Sequence, residues 1–410
     1  MSYYDSLETR LPREREAWLM ARLPQQVAHA KRKSPYFRRL FAEQAPESVT
    51  SRAALASLPL TRKSDLTELQ RAQPPFGGLT ATPLAELARV FASPGPIYDP
   101  QGRGQDCWRF ARVLYAAGFR AGELVHNTFS YHFTPAGFML EGAAQKLGCP
   151  VFPAGVGQTD LQVQAIADLR PVAYVGTPSF LRIIIDRADE LGADVGSLQK
   201  AVVSGEPLPP ALRKLFSDRG VVVRQAYATA DVGVIAYETT SDEGLLVEED
   251  VLLEIVRPGT GDPVAEGEVG EVVVTSFNAD YPLIRFATGD LSALLPGGSS
   301  CGRTNVRIKG WLGRADQTTK VKGMFVRPSQ VAAIVARHAP IGVARLVVDN
   351  PGGDDRMTLH CAVAVPSGEL MAAVVDSIRD LTKLRGEVVF HAPGALPNDG
   401  KVIEDLREYS

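Results

Sequence analysis

Between residues 110 and 224 the chain alternates between two hydrophobic patterns. Apolar residues at helical spacing predict helices, and short continuous apolar runs rich in valine predict buried strands. The predicted helices are 110–119, 136–147, 161–169, 178–191 and 209–216, and the predicted strands are 124–125, 150–152, 172–175, 201–203 and 221–223. Such alternation is typical of βαβ units, so we expect a largely parallel sheet here.

The pattern changes after Tyr227. Residues 245–256 and 270–276 flank a Pro-Gly-Thr-Gly-Asp-Pro turn at 258–263, and this arrangement predicts an antiparallel hairpin. Near the N-terminus, residues 12–37 read as a helix that is interrupted at Pro24, because proline removes a backbone donor.

A second change comes near Asp316. The strands predicted beyond it are 318–321, 343–348, 357–365 and 387–390, and the predicted helices are 328–337 and 369–384. Two helices over a small mixed sheet form a compact domain. We therefore predict a large α/β N-terminal domain (1–315), with parallel-sheet βαβ units plus an antiparallel β subdomain, followed by a small mobile α+β C-terminal domain (316–410).

Length and charge narrow the functional classes. The 410 residues suffice for two or three domains, and 44 Lys plus Arg against 47 Asp plus Glu give a formal charge of -3. This balance favours neither nucleic acid nor an anionic membrane as a partner, and the sequence contains no apolar run long enough to span a bilayer. Four widely spaced cysteines indicate reduced thiols, so we expect a cytoplasmic protein.

The most informative stretch is Asp280–Asp290, which reads Asp-Tyr-Pro-Leu-Ile-Arg-Phe-Ala-Thr-Gly-Asp. A glycine beside a lone carboxylate suits a ribose, because the backbone comes close and the carboxylate accepts from both vicinal hydroxyls. Arg314, in the following Gly-Arg-Ala-Asp-Gln segment, could add a cation near the same sugar or its phosphate. Thr-Gly-Asp is also an ordinary turn, so this stretch alone leaves both interpretations open.

Two polar segments follow predicted strands of the parallel sheet. Residues 204–207 (Ser-Gly-Glu-Pro) and 225–231, with Tyr227 and Asp231, should open at the same sheet edge, where ligands bind. Tyr227 could stack on a ligand base, and Asp231 could hold Mg²⁺ together with phosphate oxygens. Equally, residues 204–207 could be a plain strand-to-helix loop, Tyr227 a core residue and Asp231 a turn residue.

Two glycine-containing basic segments lie in the predicted small domain. Lys401 follows Gly400 in the tail, where a mobile ammonium could meet developing negative charge, although most lysines in tails are simply solvated. Gly323 lies in the Lys-Val-Lys-Gly-Met-Phe-Val-Arg-Pro run, which a surface hairpin would explain equally well.

Taken together and in this order, the segments resemble the phenylacetate–coenzyme A ligase family of the adenylate-forming superfamily. The resemblance covers nearly the whole chain, and the run Tyr-Pro-Leu-Ile-Arg-Phe-x-Thr-Gly-Asp is its most specific part. The segments that carry it are 3–5, 34–37, 148–153, 157–159, 177–179, 205–207, 281–290 and 313–317.

The resemblance implies a nucleotide site. Asp290 is expected to hold the ribose hydroxyls, and Arg314 is expected to contact the nucleotide. Tyr227 is expected to stack near the adenine, and Asp231 stands where the family usually has a Mg²⁺-binding Glu. The adenine site is expected to be lined by Gly205, Glu206 and Pro207.

The resemblance also assigns roles to the small domain, which it implies is a lid. Asp316 is expected to be the hinge about which the lid turns between adenylation and thioester formation. Gly323 is expected to border the coenzyme A channel. Lys401 is expected to reach the acyl carboxylate and the α-phosphate, where a cation supplied on closure would stabilise the transition state.

One segment departs from the family. The family's phosphate loop is rich in Ser, Thr and Gly and ends in Gly-Lys-Pro, whereas residues 91–100 read Phe-Ala-Ser-Pro-Gly-Pro-Ile-Tyr-Asp-Pro. Its prolines lack amide hydrogens and Asp99 would repel phosphate, which leaves Ser93 and Gly95 as plausible contacts. The half-site for AMP is kept, and the half-site for pyrophosphate is degenerate.

Three explanations fit this departure. The chain is an active ligase that grips ATP differently, through Arg103, Lys146 or Mg²⁺; or it uses a preformed adenylate or another activated donor; or it is a silent protein that binds AMP or an acyl ligand. We favour the first, because Asp290, Arg314, Asp316 and Lys401 would be free to drift in a silent protein.

The aromatic segment 129–138 corresponds to the wall of the acyl pocket in relatives. Tyr131, Phe133 and Phe138 would suit an aryl or arylacetic acid, although ordinary packing explains any single ring equally well. The implied reaction joins a small carboxylic acid to coenzyme A through an acyl-AMP formed from ATP, with Mg²⁺. We expect no nucleic acid or membrane partner, and a homodimer is possible.

Overall fold

The chain divides into two compact units, Met1–Leu312 and Gly313–Ser410, close to the boundary predicted at 315/316. A computed structural model describes residues 2–240, 243–258, 260–315, 317, 319–351, 354–396 and 402–407. Asp316 and Lys401, which the sequence assigned to the hinge and to catalysis, lie outside these residues. The two units are therefore described separately.

The first unit contains most of the helices. Its helices are α1 (Pro12–Lys33), α2 (Pro35–Leu40), α3 (Arg52–Ala56), α4 (Leu66–Ala72), α5 (Phe110–Ala116), α6 (Ala136–Lys146), α7 (Thr159–Leu169), α8 (Pro178–Leu191) and α9 (Pro210–Asp218). The prediction of an interruption at Pro24 was wrong, because α1 continues through this proline. The helix ends at Lys33, and the Ser34 hydroxyl then caps α2 by accepting from the Phe37 amide at 3.3 Å.

The strands of the first unit form a large mixed sheet, a smaller sheet and a separate hairpin. They are β1 (Thr61–Arg62), β2 (Arg89–Ser93), β3 (Ile97–Gln101), β4 (Val125–Asn127), β5 (Val151–Pro153), β6 (Ala173–Gly176), β7 (Lys200–Val203), β8 (Val222–Thr229), β9 (Gly233–Tyr237), β10 (Leu245–Val247), β11 (Val251–Val256), β12 (Gly270–Ser276), β13 (Phe286–Ser292), β14 (Leu294–Leu295) and β15 (Arg307–Ile308).

The large sheet has the order β14-β15-β10-β9-β8-β7-β6-β4-β5. Strands β5, β4, β6, β7 and β8 are parallel neighbours, which confirms the predicted βαβ region. Every residue of β6 is buried, as are three of the four in β7. Apolar cores lie on the two faces of this sheet, so its central strands read as nearly continuous hydrophobic runs.

The smaller sheet has the order β1-β13-β12-β11. Strands β11 and β12 form the predicted antiparallel hairpin. The prediction was wrong for Leu245–Val247, because β10 pairs with β9 and β15 of the large sheet instead. The chain crosses between the sheets within residues 248–250, where Glu248 and Glu249 are buried in ion pairs with arginines and end the apolar run.

The second unit is an α+β fold. Its elements are β16 (Thr319–Val321), β17 (Met324–Val326), α10 (Pro328–Arg337), β18 (Ile341–Asp349), β19 (Arg356–Val363), α11 (Gly368–Thr382), β20 (Glu387–His391) and β21 (Ile403–Asp405). Four of the strands form a mixed sheet in the order β20-β19-β18-β21, and its apolar face packs with both helices in one core. The small α+β fold predicted for the C-terminal region is confirmed.

Among the described residues, the helices are too short or too polar to cross a bilayer.

Candidate nucleotide and acyl site

The carboxyl ends of β6, β7 and β8 meet at one edge of the large sheet. The pairing of Gly176 with Val203, and of Val203 with Gln225, aligns the three ends. The Ser204 hydroxyl donates to the Ala226 carbonyl at 2.8 Å and fixes the spacing of the last two. Segments 204–207 and 225–231 therefore open side by side.

Residues 205–207 form the turn between β7 and α9. Gly205 has φ of +85°, a left-handed conformation that favours glycine. The Glu206 carboxylate accepts from the Ser179 amide at 2.7 Å, at the N-terminal turn of α8. Pro207 follows in the same loop. Glu206 thus links its own loop to the start of α8, at the sheet edge where the adenine is expected.

Tyr227 and Asp290 come from different sheets and meet. The Tyr227 hydroxyl donates to Asp290 Oδ2 at 2.9 Å and lies 3.3 Å from Thr288 Oγ1. Trp311 Nε1 donates to Asp290 Oδ1 at 3.1 Å, although 40% of Trp311 is exposed. The carboxylate of the Thr-Gly-Asp segment therefore lies at the junction of the two sheets, next to a tyrosine ring.

A buried charge cluster lies next to this junction. Lys63 Nζ lies 2.5 Å from Asp231 Oδ2, in an ion pair whose carboxylate is buried and whose ammonium is partly exposed. Asp99 is adjacent to Asp231, and its Oδ2 accepts from the Ser93 hydroxyl at 2.7 Å. Two carboxylates and one partly exposed ammonium thus lie together in a buried cluster.

The electrostatics of the cluster follow from this crowding. Burial, reinforced by the neighbouring Asp231 charge, holds the pKa of Asp99 well above its usual range. Burial alone would lower the pKa of Lys63, but Asp231, Asp99 and Asp290 outweigh it and raise that pKa overall.

The segment aligned with the phosphate loop is a tight hairpin. Strands β2 and β3 pair from Arg89 with Gln101 to Ser93 with Ile97, and Pro94, Gly95 and Pro96 form the turn. Ser93 is buried with its hydroxyl engaged by Asp99, and a Cβ on Gly95 would lie 2.8 Å from the Ile97 side chain. The phosphate contacts predicted for Ser93 and Gly95 stay predictions.

The other cations proposed for an altered ATP grip have protein partners. Arg103 Nε donates to the Glu86 carbonyl at 3.1 Å, on the wall of an open groove. Lys146 Nζ lies 3.6 Å from Asp106 Oδ2, whose carboxylate caps α5. Within the described residues, the hydrogen bond of Arg103 and the ion pair of Lys146 do not involve the cluster around Asp231.

The three rings predicted for the acyl pocket differ in their packing and exposure. Tyr131 packs edge-on against Phe138 with centroids 5.2 Å apart, and Phe138 packs against Phe91 of the hairpin at 5.5 Å. The Arg89 guanidinium lies over the Phe138 ring at 4.4 Å. Phe133 is 80% exposed, but its carbonyl accepts from the hairpin amide of Ala92 at 2.8 Å. The aromatic segment is therefore attached to the hairpin that replaces the phosphate loop.

Two further predicted residues belong to the second unit. Arg314 lies at its start, and Gly323 has φ of +84° in the turn between β16 and β17. Their predicted contacts with the nucleotide and coenzyme A stay predictions.

Sequence reasoning missed Lys63 and Trp311. Lys63 follows β1, which pairs in parallel with β13 through Thr61 with Phe286 and Arg62 with Ala287. This pairing carries the lysine to the side of the Thr-Gly-Asp segment, over two hundred residues away in sequence. A strand of two residues has no detectable hydrophobic periodicity, so the sequence pattern does not indicate this pairing.

Comparison with known proteins gives the family. The model of the AMP-binding enzyme family matches residues 113–279. The chain is 36% identical to phenylacetate-coenzyme A ligase of Thermus thermophilus over 385 residues, which cover 89% of this chain and 85% of that protein. The enzyme of the same name from Escherichia coli is 33% identical over 80% of this chain and 77% of its own length.

The chain belongs to the phenylacetate-coenzyme A ligase family. It is therefore an AMP-forming acid–CoA ligase by family, as the motifs predicted.

Solved structures agree on the fold. A 2-hydroxyisobutyryl-CoA ligase, in complex with 2-HIB-AMP and CoA in the thioesterification state, superposes with a TM-score of 0.79. The match covers 98% of this chain and 92% of that one, at 24% identity. At that identity the likeness shows the fold alone, and it confirms the predicted fold class of this ligase family member.

Proposed function

We propose that this ligase converts an aryl or arylacetic acid to its coenzyme A thioester through an acyl-adenylate made from ATP. The observation that carries the proposal is the meeting of Tyr227 and Asp290 at the open edge of the parallel sheet. Ligands bind at this edge in open α/β folds, and the relatives named above are phenylacetate-coenzyme A ligases.

Asp290 would bind the ribose. Its two oxygens accept from Tyr227 and Trp311 in the free protein, and a carboxylate can accept several hydrogen bonds at once, including those of two sugar hydroxyls. Tyr227, half-buried and held by its hydroxyl, would offer its ring to the adenine, with Gly205, Glu206 and Pro207 lining the base.

Lys63 would supply the cation that the hairpin lacks. Its ammonium is paired with Asp231, interacts with Asp290 and stays partly exposed. A phosphate of a nucleotide whose ribose is held by Asp290 would meet this charge within a low-dielectric site. Lys63 would stabilise the charge that builds at phosphorus when the acid attacks, and Lys401 is proposed to add a second cation in the same half-reaction.

Asp231 fits the Mg²⁺ that the family implies. Its Oδ1 is buried and has no hydrogen-bond partner in the described residues, so one hard oxygen ligand is available. When bound, Mg²⁺ would neutralise phosphate charge. Arg314 is proposed to contact the nucleotide, Asp316 to be the hinge and Gly323 to border the coenzyme A channel.

The acyl group would lie against Tyr131 and Phe138. We expect Phe138→Leu to raise KM for phenylacetate by roughly threefold to tenfold, because an aromatic pair contributes about 0.5–1.5 kcal/mol beyond area. Steady-state kinetics with phenylacetate check this, with AMP affinity unchanged. The comparison variant is Phe133→Leu, whose exposed ring predicts a smaller change in KM. Equal changes in the two variants would place both rings in the pocket. An unchanged KM in Phe138→Leu would show that Phe138 does not line the pocket.

The decisive assay is acid-dependent exchange of labelled pyrophosphate into ATP, across aryl, arylacetic and fatty acids. Lys401→Ala should slow this exchange by about 10²–10³-fold, because a cation aimed at developing charge is lost, and should spare AMP binding. Lys383→Ala, which removes an exposed lysine, is the matched control. Exchange that continues in Lys401→Ala would remove this residue from the mechanism.

A second candidate function rests on the hairpin. Because Ser93 is engaged by Asp99 and the turn is proline-rich, a protein that uses a preformed adenylate remains the alternative. Such a protein binds AMP and accepts a synthetic acyl-AMP, but no acid supports pyrophosphate exchange.

A further inference from the structure

We propose that Asp99 and Asp231 together form a divalent-cation site that this protein fills without nucleotide. Asp99 belongs to the hairpin that replaces the phosphate loop, and the family resemblance gives it no role. Asp99 is therefore one of the residues by which this chain departs from the family pattern.

The first observation is a pair of oxygens without partners. Asp99 Oδ1 and Asp231 Oδ1 are buried and accept no hydrogen bond in the described residues, although their other oxygens accept from Ser93 and Lys63. The residues themselves are 1% and 4% exposed. Two adjacent buried carboxylates cannot satisfy each other when both are ionised, so they share either a proton or a cation.

A second, independent observation comes from Tyr281. Its hydroxyl is also buried without a hydrogen-bond partner among the described residues, and it interacts with both Asp99 and Asp231. The ring is 2% exposed, so bulk water does not solvate this group. A buried hydroxyl close to two carboxylates suits a water molecule on a bound cation, because such a water both donates and accepts.

The hairpin holds Asp99 in place before any ligand arrives. Gln70 Nε2 donates to the Tyr98 carbonyl, and the Tyr98 amide donates to Gln70 Oε1, each at 2.8 Å. Phe91 pairs with Asp99 across the hairpin. Because side chains alternate along a strand, Tyr98 faces outwards, 43% exposed, while Asp99 faces the cluster.

The charge balance explains what the cation would do. Two carboxylates facing a single ammonium leave the site net negative when both are ionised, which repels a nucleotide phosphate. A divalent cation makes it net positive, while Lys63 keeps its place on Asp231 Oδ2. The described residues contain no group of three His, Cys, Asp or Glu that could hold a metal, so water would complete the shell without nucleotide and phosphate oxygens would replace some of it when a nucleotide binds.

The cation would thus compensate for the missing phosphate loop. This role in catalysis rests on the proposed function, whereas binding of the cation does not. The two can therefore fail separately.

The test measures Mn²⁺ binding to the full chain without nucleotide, by electron paramagnetic resonance of free Mn²⁺. We expect one Mn²⁺ per chain, and binding about tenfold or more weaker in Asp99→Asn and in Asp231→Asn. Asparagine keeps the side-chain shape, removes the charge and replaces one acceptor oxygen with an NH₂ group, and circular dichroism with thermal melting checks the fold of each variant. The matched control is Asp189→Asn, which removes an exposed carboxylate on the surface and should leave binding unchanged.

Absence of Mn²⁺ binding to the unaltered chain, or binding that Asp99→Asn leaves unchanged, overturns the proposal. Loss of binding only in Asp231→Asn likewise removes Asp99 from the site. If Mn²⁺ binds as expected but no acid supports pyrophosphate exchange, the cation site stands and the ligase function fails. If an acid supports pyrophosphate exchange but Mn²⁺ does not bind without nucleotide, the ligase function stands and the cation site fails.

Discussion

Replacing Asp290 by alanine should weaken AMP binding by about 10²–10⁴-fold, because two hydrogen bonds to a charged group contribute about 1.5–3 kcal/mol each. The carboxylate is 8% exposed and lies where Tyr227 and Trp311 converge. The variant also leaves the Tyr227 hydroxyl without its charged acceptor, which adds to the loss. Isothermal titration calorimetry with AMP measures the change directly.

The control is Asp218→Ala, which removes an exposed carboxylate paired with Lys214 on α9 and should not alter AMP affinity. Trp311 gives an independent readout in the unaltered protein. Because its indole donates to Asp290 and is partly exposed, nucleotide binding should change its fluorescence. Folded Asp290→Ala that binds AMP normally would end the assignment of this carboxylate to the ribose.

Arg285→Met should lower the free energy of unfolding by about 3–5 kcal/mol, because it leaves a buried carboxylate without its partner. Arg285 belongs to the most specific motif of the family and is 2% exposed. Its guanidinium pairs with Glu254 and donates to the carbonyls of Ala56, Leu58 and Gly261 at 2.6–2.8 Å. Denaturant unfolding followed by circular dichroism checks the loss.

The double variant Arg285→Met with Glu254→Gln separates two causes of that loss. Removing the stranded charge should recover part of the stability, because much of the single-variant cost is the unpaired carboxylate. The unpaired carbonyls should keep the double variant below the unaltered protein. A single variant that loses less than about 1 kcal/mol, the range of exposed ion pairs, would show that this contact is not a stabilising anchor.

The contacts of Arg285 indicate its role within the motif. Arg285 lies five residues before Asp290 in the same motif. The structure shows it holding the segment that leads to β1, and hence Lys63, against the sheet that carries Asp290. Its contribution to the site is therefore positional.

Local pattern was sufficient for the elements that bury one continuous apolar face. The strands at 172–175 and 201–203 and the helix between them are short-range features, and the structure matches them closely. Pattern failed for Leu245–Val247, because a strand's own residues do not say which neighbour it will pair with. It failed at Pro24 as well, where α1 continues despite a proline that local propensity reads as a break.

The candidate site divides in the same way. Sequence brought Gly205, Tyr227, Asp231 and Asp290 to attention because each follows a strand or a glycine, which is a local signal. It gave no sign that the Tyr227 hydroxyl and the Trp311 indole would meet on one carboxylate. Nor did it show that Asp99 would face Asp231 instead of solvent.

By itself, the sequence determined the family, the succession of strands and helices and the chemical types at the sheet edge, since these depend on spacing along the chain. Only the tertiary structure decided that Lys63 pairs with Asp231, that Arg285 is structural and that the altered loop is a hairpin with an inward carboxylate. The physical reason is that charge effects depend on burial and on separations of a few ångströms. Residues brought together by strand pairing over long stretches of chain leave no periodic trace of that closeness.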